Sequence, residues 1–287
     1  MSPTALALVL AAAVLHATWN FQAKRAADAG VAFIWLVDVA SAVVWLPLAV
    51  VVALGHGALG WAGLAFVAGS AALHVGYFVL LQLGYRVGDL SIVYPLARGT
   101  GPLLATAGAI VLLDERPTRV TLAGAVLVAG GVLVLAHSGG RAQAEAPRWA
   151  GVAAGLLTGV FIGGYTLWDA RAVTAVGVAP VLYTWATSVG ESALLAPVVA
   201  GRRAALQSTW RRHRRQVLAV AVLAPLAYLL VLVALTRAPV SAVAPARELS
   251  IVLGALLGGQ LLHEADTRRR VAASLAVVAG VVALAVG

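Results

Sequence analysis

"DLSIVYPLARGTGPLL", residues 89–104, and "PVSAVAPARELSIVLGALL", residues 239–257, are one pattern written twice. Ser91 overlays Ser241 and Pro95 overlays Pro245; after a one-residue slip, Arg98 falls on Arg247. The likeness continues downstream. "LLDERPTRVTLAGAVLVAGGVLVLA" (112–136) matches "LLHEADTRRRVAASLAVVAGVVALA" (261–285), pairing Glu115 with Glu264 and Gly131 with Gly280. Upstream, Trp35 falls on Trp185 and Pro47 on Pro197, and Arg25 can be laid on Arg171. Self-similarity at so long a period marks a duplicated structural unit.

The surroundings of the repeat say what the unit is. Of the 287 residues, 62% are apolar and 11% charged, with a mean hydropathy of +0.96. A soluble domain carries about twice that share of charge. Apolar runs of the length needed to cross a bilayer as helix recur throughout. Cut at charges and at Gly/Pro punctuation, they predict ten spans: 3–21, 31–54, 61–85, 91–113, 119–137, 149–168, 178–200, 216–236, 239–262 and 270–286. The first run lacks a basic leader and ends in "HATWN", so it reads as a span rather than a cleaved signal. Five spans per copy is an odd number, so the second copy must enter the membrane from the opposite face. The expected fold is therefore an all-α membrane protein of two inverted five-helix repeats, residues 1–138 and 149–287. Such repeats are typical of secondary transporters, which hold their ligand near the midplane between the halves.

Charge adds an orientation. With side A the face carrying the N-terminus, fourteen Lys/Arg fall in side B loops, six of them in "GRRAALQSTWRRHRR" (201–215), against four on side A. That asymmetry puts side B in the cytoplasm and both termini outside. The net charge of +9 suits an anionic membrane surface better than nucleic acid. There is no cysteine, so disulfide and thiolate chemistry are excluded.

Five plus five spans, a Pro in the fourth span of each half and a Glu closing it before a Gly-rich fifth make the chain resemble EamA-type members of the drug/metabolite transporter superfamily. The resemblance implies a ten-helix transporter with no cofactor. Its substrates would come from a range that includes amino acids, sugars, nucleotide sugars, amines and drugs. Relatives are usually drawn with both termini inside, against the charge count here. "LHATWN" (15–20) is similar to a subgroup linked to phosphonate metabolism.

Charged side chains at bilayer depth cost about 2.5–3.5 kcal/mol even on lenient scales, so each must face a cavity or a partner. Those candidates are His16, Asp38, His74, Arg98, Glu191, Arg247 and Glu248. Arg98 and Arg247 enter from opposite faces and each lies about 10–12 Å deep, bracketing the midplane. Beside Pro and Gly, they suit a carboxylate, phosphate or phosphonate. Each also reads as a structural lock on Asp38, Glu191 or Glu248. Glu248 neighbours Arg247 but points about 100° away on an ideal helix, so it need not be its partner.

Glu191 is the first choice for a proton-coupling carboxylate, with Asp38 nearly equivalent by the repeat. His16, Trp19 and Asn20 share one part of a helix face opposite Tyr165 and Thr166, offering rings and amide donors to a solute or, alternatively, forming an interfacial aromatic belt. Tyr94 joins the substrate-binding candidates. His74 and Tyr77 stand three apart in the third span, whose equivalents the resemblance places along the pathway; His74 also reads as a packed core histidine. Gly155, Gly159 and Gly163, and Gly254 with Gly258, are close-packing stripes. Glu115 and Glu264 read as holders of helix ends or loop arginines.

No metal-ligand cluster or Walker loop is present, and "GTGPLLATAG" (99–108) lacks the strand and Lys of a phosphate loop. The expectation is a secondary transporter, an exporter, of a small polar or amphipathic metabolite, preferably anionic or zwitterionic: an amino acid, organic acid or phosphonate. It would be multi-pass in the plasma (inner) membrane, a monomer or homodimer among lipids, with protons as the coupling ion and no nucleic-acid partner. The alternative readings are an intramembrane lipid-modifying enzyme using Glu191 with a His, and a membrane-embedded sensor.

Overall fold

A computed structural model describes residues 1–87, 90–137, 148–253 and 267–287, and among these every regular element is helical. The elements are α1 (Pro3–Lys24), a 3-10 turn (Ala27–Ala29), α2 (Gly30–His56), α3 (Trp61–Val87), α4 (Leu90–Leu112) and α5 (Arg119–His137). The second half holds α6 (Arg148–Thr174), α7 (Pro180–Val199), α8 (Arg203–Leu235), α9 (Val240–Ala246) and α10 (Thr267–Val286). Helix starts follow local chemistry. Ser2 caps α1 by accepting from the Ala5 N–H at 3.2 Å, ahead of Pro3, whose missing N–H would have been unpaired in the first turn anyway. Past the end of α2 the chain turns through Gly57 at φ +87°, a conformation that favours glycine.

Among the described residues five stretches are long and apolar enough to cross a membrane: Pro3–Ala23, Gly30–His56, Trp61–Leu81, Trp149–Thr174 and Arg203–Leu235. Leu96–Leu112, Arg119–Val134 and Ala272–Val286 are shorter apolar helices. α7 spans 20 residues, but Thr184, Thr187, Ser188, Glu191 and Ser192 dilute its apolar character. Large apolar side chains such as Val43, Val51, Leu54, Val111, Val126 and Leu275 stay exposed, as lipid-facing positions do.

Helices from one half pack mainly on helices from the other. α1 lies on α8 and α3 on α6; α2 lies on α7, and α5 on α10. Missing side chains allow the closest approaches. A Cβ on Gly155 would meet Val93 O at 2.9 Å, and one on Gly159 would sit 2.0 Å from Thr100 Oγ1, so the small stripe of α6 is the seat of α4. α5 and α10 cross at Gly124 and Gly280, where a Cβ on either would come within 2.8 Å and 2.7 Å of the other's carbonyl oxygen. Gly254, Gly258 and Glu264 lie outside the described residues.

Three expected boundaries shift. α6 runs on to Thr174, past the expected end at 168, which brings Asp169 inside the helix. The expected loop 201–215 is mostly helix. α8 begins at Arg203 and kinks at His213 (φ −122°, ψ 18°), because Ala204, Ala205, Leu206 and the arginines are good helix formers despite their charge. The expected span 239–262 is interrupted. α9 ends at Ala246, Arg247 and Glu248 form a turn, and residues 249–253 are helical again. There the N–H groups of Glu248, Ser250 and Ile251 bond three residues back, to Pro245, Arg247 and Glu248, at 3.0, 3.2 and 2.9 Å. α4, by contrast, stays helical through Pro95, Gly99, Gly101 and Pro102.

Candidate functional site

The turn after Pro245 lies against α4 and brings three charged residues together. Glu248, 1% exposed, has Oε1 3.3 Å from Arg247 Nε and Oε2 3.6 Å from Arg98 Nη1. The expectation that adjacent residues point apart on a helix is corrected here: the shortened hydrogen bonds remove the ideal helix, and the long arginine side chain reaches its neighbour. The result is an Arg–Glu–Arg triad, with one carboxylate between two guanidiniums. Arg247 also reaches the Tyr165 hydroxyl from Nη2 at 3.4 Å and holds its guanidinium 5.6 Å from the ring centre. That distance is within cation–π range.

Tyr165 continues the cluster toward α3. Its ring stacks on His74 at 4.1 Å and 25°, and meets Tyr77 and Tyr228 edge-on at 6.0 and 6.5 Å. His74 Nδ1 donates to the Ser70 carbonyl at 2.9 Å, which fixes the ring, and the same nitrogen lies 3.9 Å from Glu191 Oε1. Glu191 on α7 lies near enough to the buried Asp38 on α2 for the two carboxyls to interact. Arginines, acid, tyrosines, histidine and a second pair of acids thus form one connected polar file through α4, α9, α6, α3, α7 and α2.

The α1 residues divide. His16 lies close enough to Arg98 and Arg247 to feel their charge, while its Nδ1 donates to Ala12 O at 2.9 Å. Trp19 contacts the His16 ring at 5.9 Å but packs mainly with Phe33, Val37, Val217 and Val220, between α2 and α8. Asn20 spends its amide on its own helix, donating to His16 O at 2.7 Å. The side chain of Tyr94 lies outside the described residues.

Two residues of the cluster escaped sequence reading. Asp169, fully buried, accepts from Tyr183 at Oδ1 (2.6 Å) and from Tyr228 at Oδ2. Ending the sixth span at 168 hid it; laying "HATWN" on "YTLWD" (165–169) would have placed it opposite Asn20. Tyr228 gave no motif signal. Glu115 sits apart from the cluster and accepts from the N–H groups of Val240 and Ser241 at 2.6 and 3.0 Å, holding the start of α9 as the sequence suggested. Beside it opens a cleft of about 440 Å³ lined by residues such as Asp114, Glu115, Ala170, Arg171, Thr174 and Val240.

Helices of membrane length and a buried polar file give the chain the build of a multi-pass membrane protein. Residues 149–286 match the model of the EamA-like transporter family. The second half of the chain is therefore an EamA-like transporter domain, and the protein is a multi-pass membrane transporter of the drug/metabolite type. No curated protein matches the chain. Among 28 solved chains similar in fold, the crystal structure of one protein superposes with a TM-score of 0.80, covering 100% of this chain and 98% of its own at 18% identity.

Proposed function

We propose that the protein is a secondary transporter for a small anionic or zwitterionic metabolite (an amino acid, organic acid or phosphonate), bound at the Arg98–Glu248–Arg247 triad. The geometry of that triad carries the reading: the guanidiniums of Arg98 and Arg247 converge on the buried carboxylate of Glu248. Two guanidiniums held close together repel one another, and an anionic group from the ligand would join Glu248 between them. Arginine presents a planar fork to such groups. Tyr165, Tyr77, Tyr228 and His74 would then wall the rest of the solute.

The mechanism we propose is alternating access by two inverted five-helix repeats, residues 1–138 and 149–287. The reciprocal packing of α1 on α8 and α3 on α6 supports it, as does self-paired contact of α2 with α7 and α5 with α10. The Met1 nitrogen donates to Ala285 O at 2.9 Å, so the two ends lie together, which supports an even number of spans. Asp38 and Glu191 would share a proton between them, with His74 beside Glu191 as the relay to the aromatic wall. The direction proposed is export across the plasma membrane in exchange for protons.

Reconstituted vesicles test the reading. A pH gradient should drive accumulation of at least one anionic or zwitterionic solute from a panel that also includes nucleosides and organic cations. Transport confined to cations would overturn the substrate class. Lipid conversion by the purified protein, with no solute flux, would favour the intramembrane enzyme instead.

A further inference from the structure

Asp169 is a buried carboxylate with no ligand-facing role in the scheme above. It is 0% exposed and accepts hydrogen bonds from two tyrosine hydroxyls on two other helices: Tyr183 near the start of α7 and Tyr228 in the last third of α8. The Tyr183 hydroxyl also lies 3.1 Å from the Phe66 carbonyl, which brings in α3. Four helices, three from the second half and one from the first, thus meet at a single carboxylate.

Its position along the pathway gives the cluster its meaning. The cleft beside Glu115 is lined by Ala170, Arg171 and Thr174, the residues that follow Asp169 on α6. On the other side, Tyr228 touches the rings of both His74 and Tyr165 (5.6 and 6.5 Å between centres). Asp169 therefore stands between residues that line the cleft and the central aromatic wall. Hydrogen bonds to a charged acceptor are stronger than neutral ones, and they release together when the acceptor is altered.

We propose that Asp169 is a latch: by holding Tyr183 and Tyr228 it closes the α3–α6–α7–α8 end of the pathway and sets the ring wall against the solute. The proposal rests on the transporter reading and assigns Asp169 a positioning role, acting through Tyr228 rather than on the solute. Opening this end of the pathway requires both tyrosines to leave the carboxylate.

The absence of cysteine supplies the test. Ser70 is fully buried, 3.3 Å from His74 Nδ1 and next to the Tyr183 hydroxyl, just inward of the latch. Ser70→Cys thus gives a single thiol that a membrane-impermeant maleimide reaches from the cleft side only when the latch is open. Adding Asp169→Asn, Tyr228→Phe or Tyr183→Phe should raise the labelling rate from that side about tenfold per bond lost. The Phe variants keep ring volume, so they carry the test if Asp169→Asn does not fold. Unchanged labelling in the folded Phe variants overturns the latch. Wild-type vesicles that fail to move any solute while the latch variants still open would instead count against the transporter reading alone.

Discussion

Trp35 and Trp185 exchange hydrogen bonds across the two halves of the chain. The indole of Trp35 on α2 donates to the Ser192 carbonyl on α7 at 3.0 Å, and that of Trp185 on α7 donates to the Ala42 carbonyl on α2 at 2.9 Å. The interval from Trp35 to Trp185 equals that from Ala42 to Ser192. Trp35→Phe and Trp185→Phe should therefore cost similar amounts, about 0.5–1.5 kcal/mol each, since each removes one part-buried hydrogen bond to a helix carbonyl. Denaturation in mild detergent reads this, and a several-fold disparity between the two would speak against equivalent positions.

Glu248 and Arg98 should behave differently, although both belong to the triad. Glu248→Gln leaves two buried guanidiniums facing each other, a loss of about 3–5 kcal/mol, seen as a collapse in folded yield. Arg98→Gln leaves Arg247 and Glu248 as a balanced pair 3.3 Å apart. That variant should purify normally and lose transport of anionic solutes. Loss of folded protein in Arg98→Gln would assign the arginine to structure instead.

Asp38→Asn and Glu191→Gln should separate coupling from movement. Without an ionisable pair beside His74, a pH gradient has nothing to drive, while exchange of preloaded solute for labelled solute requires only the ligand site. Vesicle assays run both ways should show gradient-driven uptake falling at least tenfold with exchange retained.

The seat of α4 on α6 should tolerate nothing larger than glycine. Gly159→Val places carbon where Thr100 Oγ1 already stands, 2.0 Å from an ideal Cβ, so folded yield should fall sharply. Gly130→Ala is the control. Its added methyl meets nothing within 4 Å, and helix propensity favours alanine by about 1 kcal/mol.

The first limb of α8 predicts a lipid preference. Arg203, Arg211, Arg212, Arg214 and Arg215 are exposed around the His213 kink, which pairs with Asp28 at 3.3 Å. Each such arginine near an anionic surface contributes about 1 kcal/mol. Thermal stability in nanodiscs should rise with anionic lipid, and much less so after replacing Arg211, Arg212, Arg214 and Arg215 by Gln.

Much of this was legible from the chain. Apolar run length sets helix class, because a bilayer demands backbone bonds satisfied within each segment. The repeat of Pro and Arg marked the two residues that meet at Glu248. What sequence hid was whatever depends on ends and breaks. Charged residues at 201–215 read as loop because hydropathy reports burial rather than helicity. The turn at Arg247–Glu248 reverses an inference drawn from ideal helix geometry. Asp169 was lost to a boundary set six residues short, where an apolar run stops though the helix continues.

The interruption after Ala246 has a mechanical consequence. One central helix is jointed, whereas its counterpart α4 is a rod. Under the proposed rocking of the halves, a joint on one side only removes the symmetry that would make the two open states equal in energy. The resting protein should therefore idle facing one compartment.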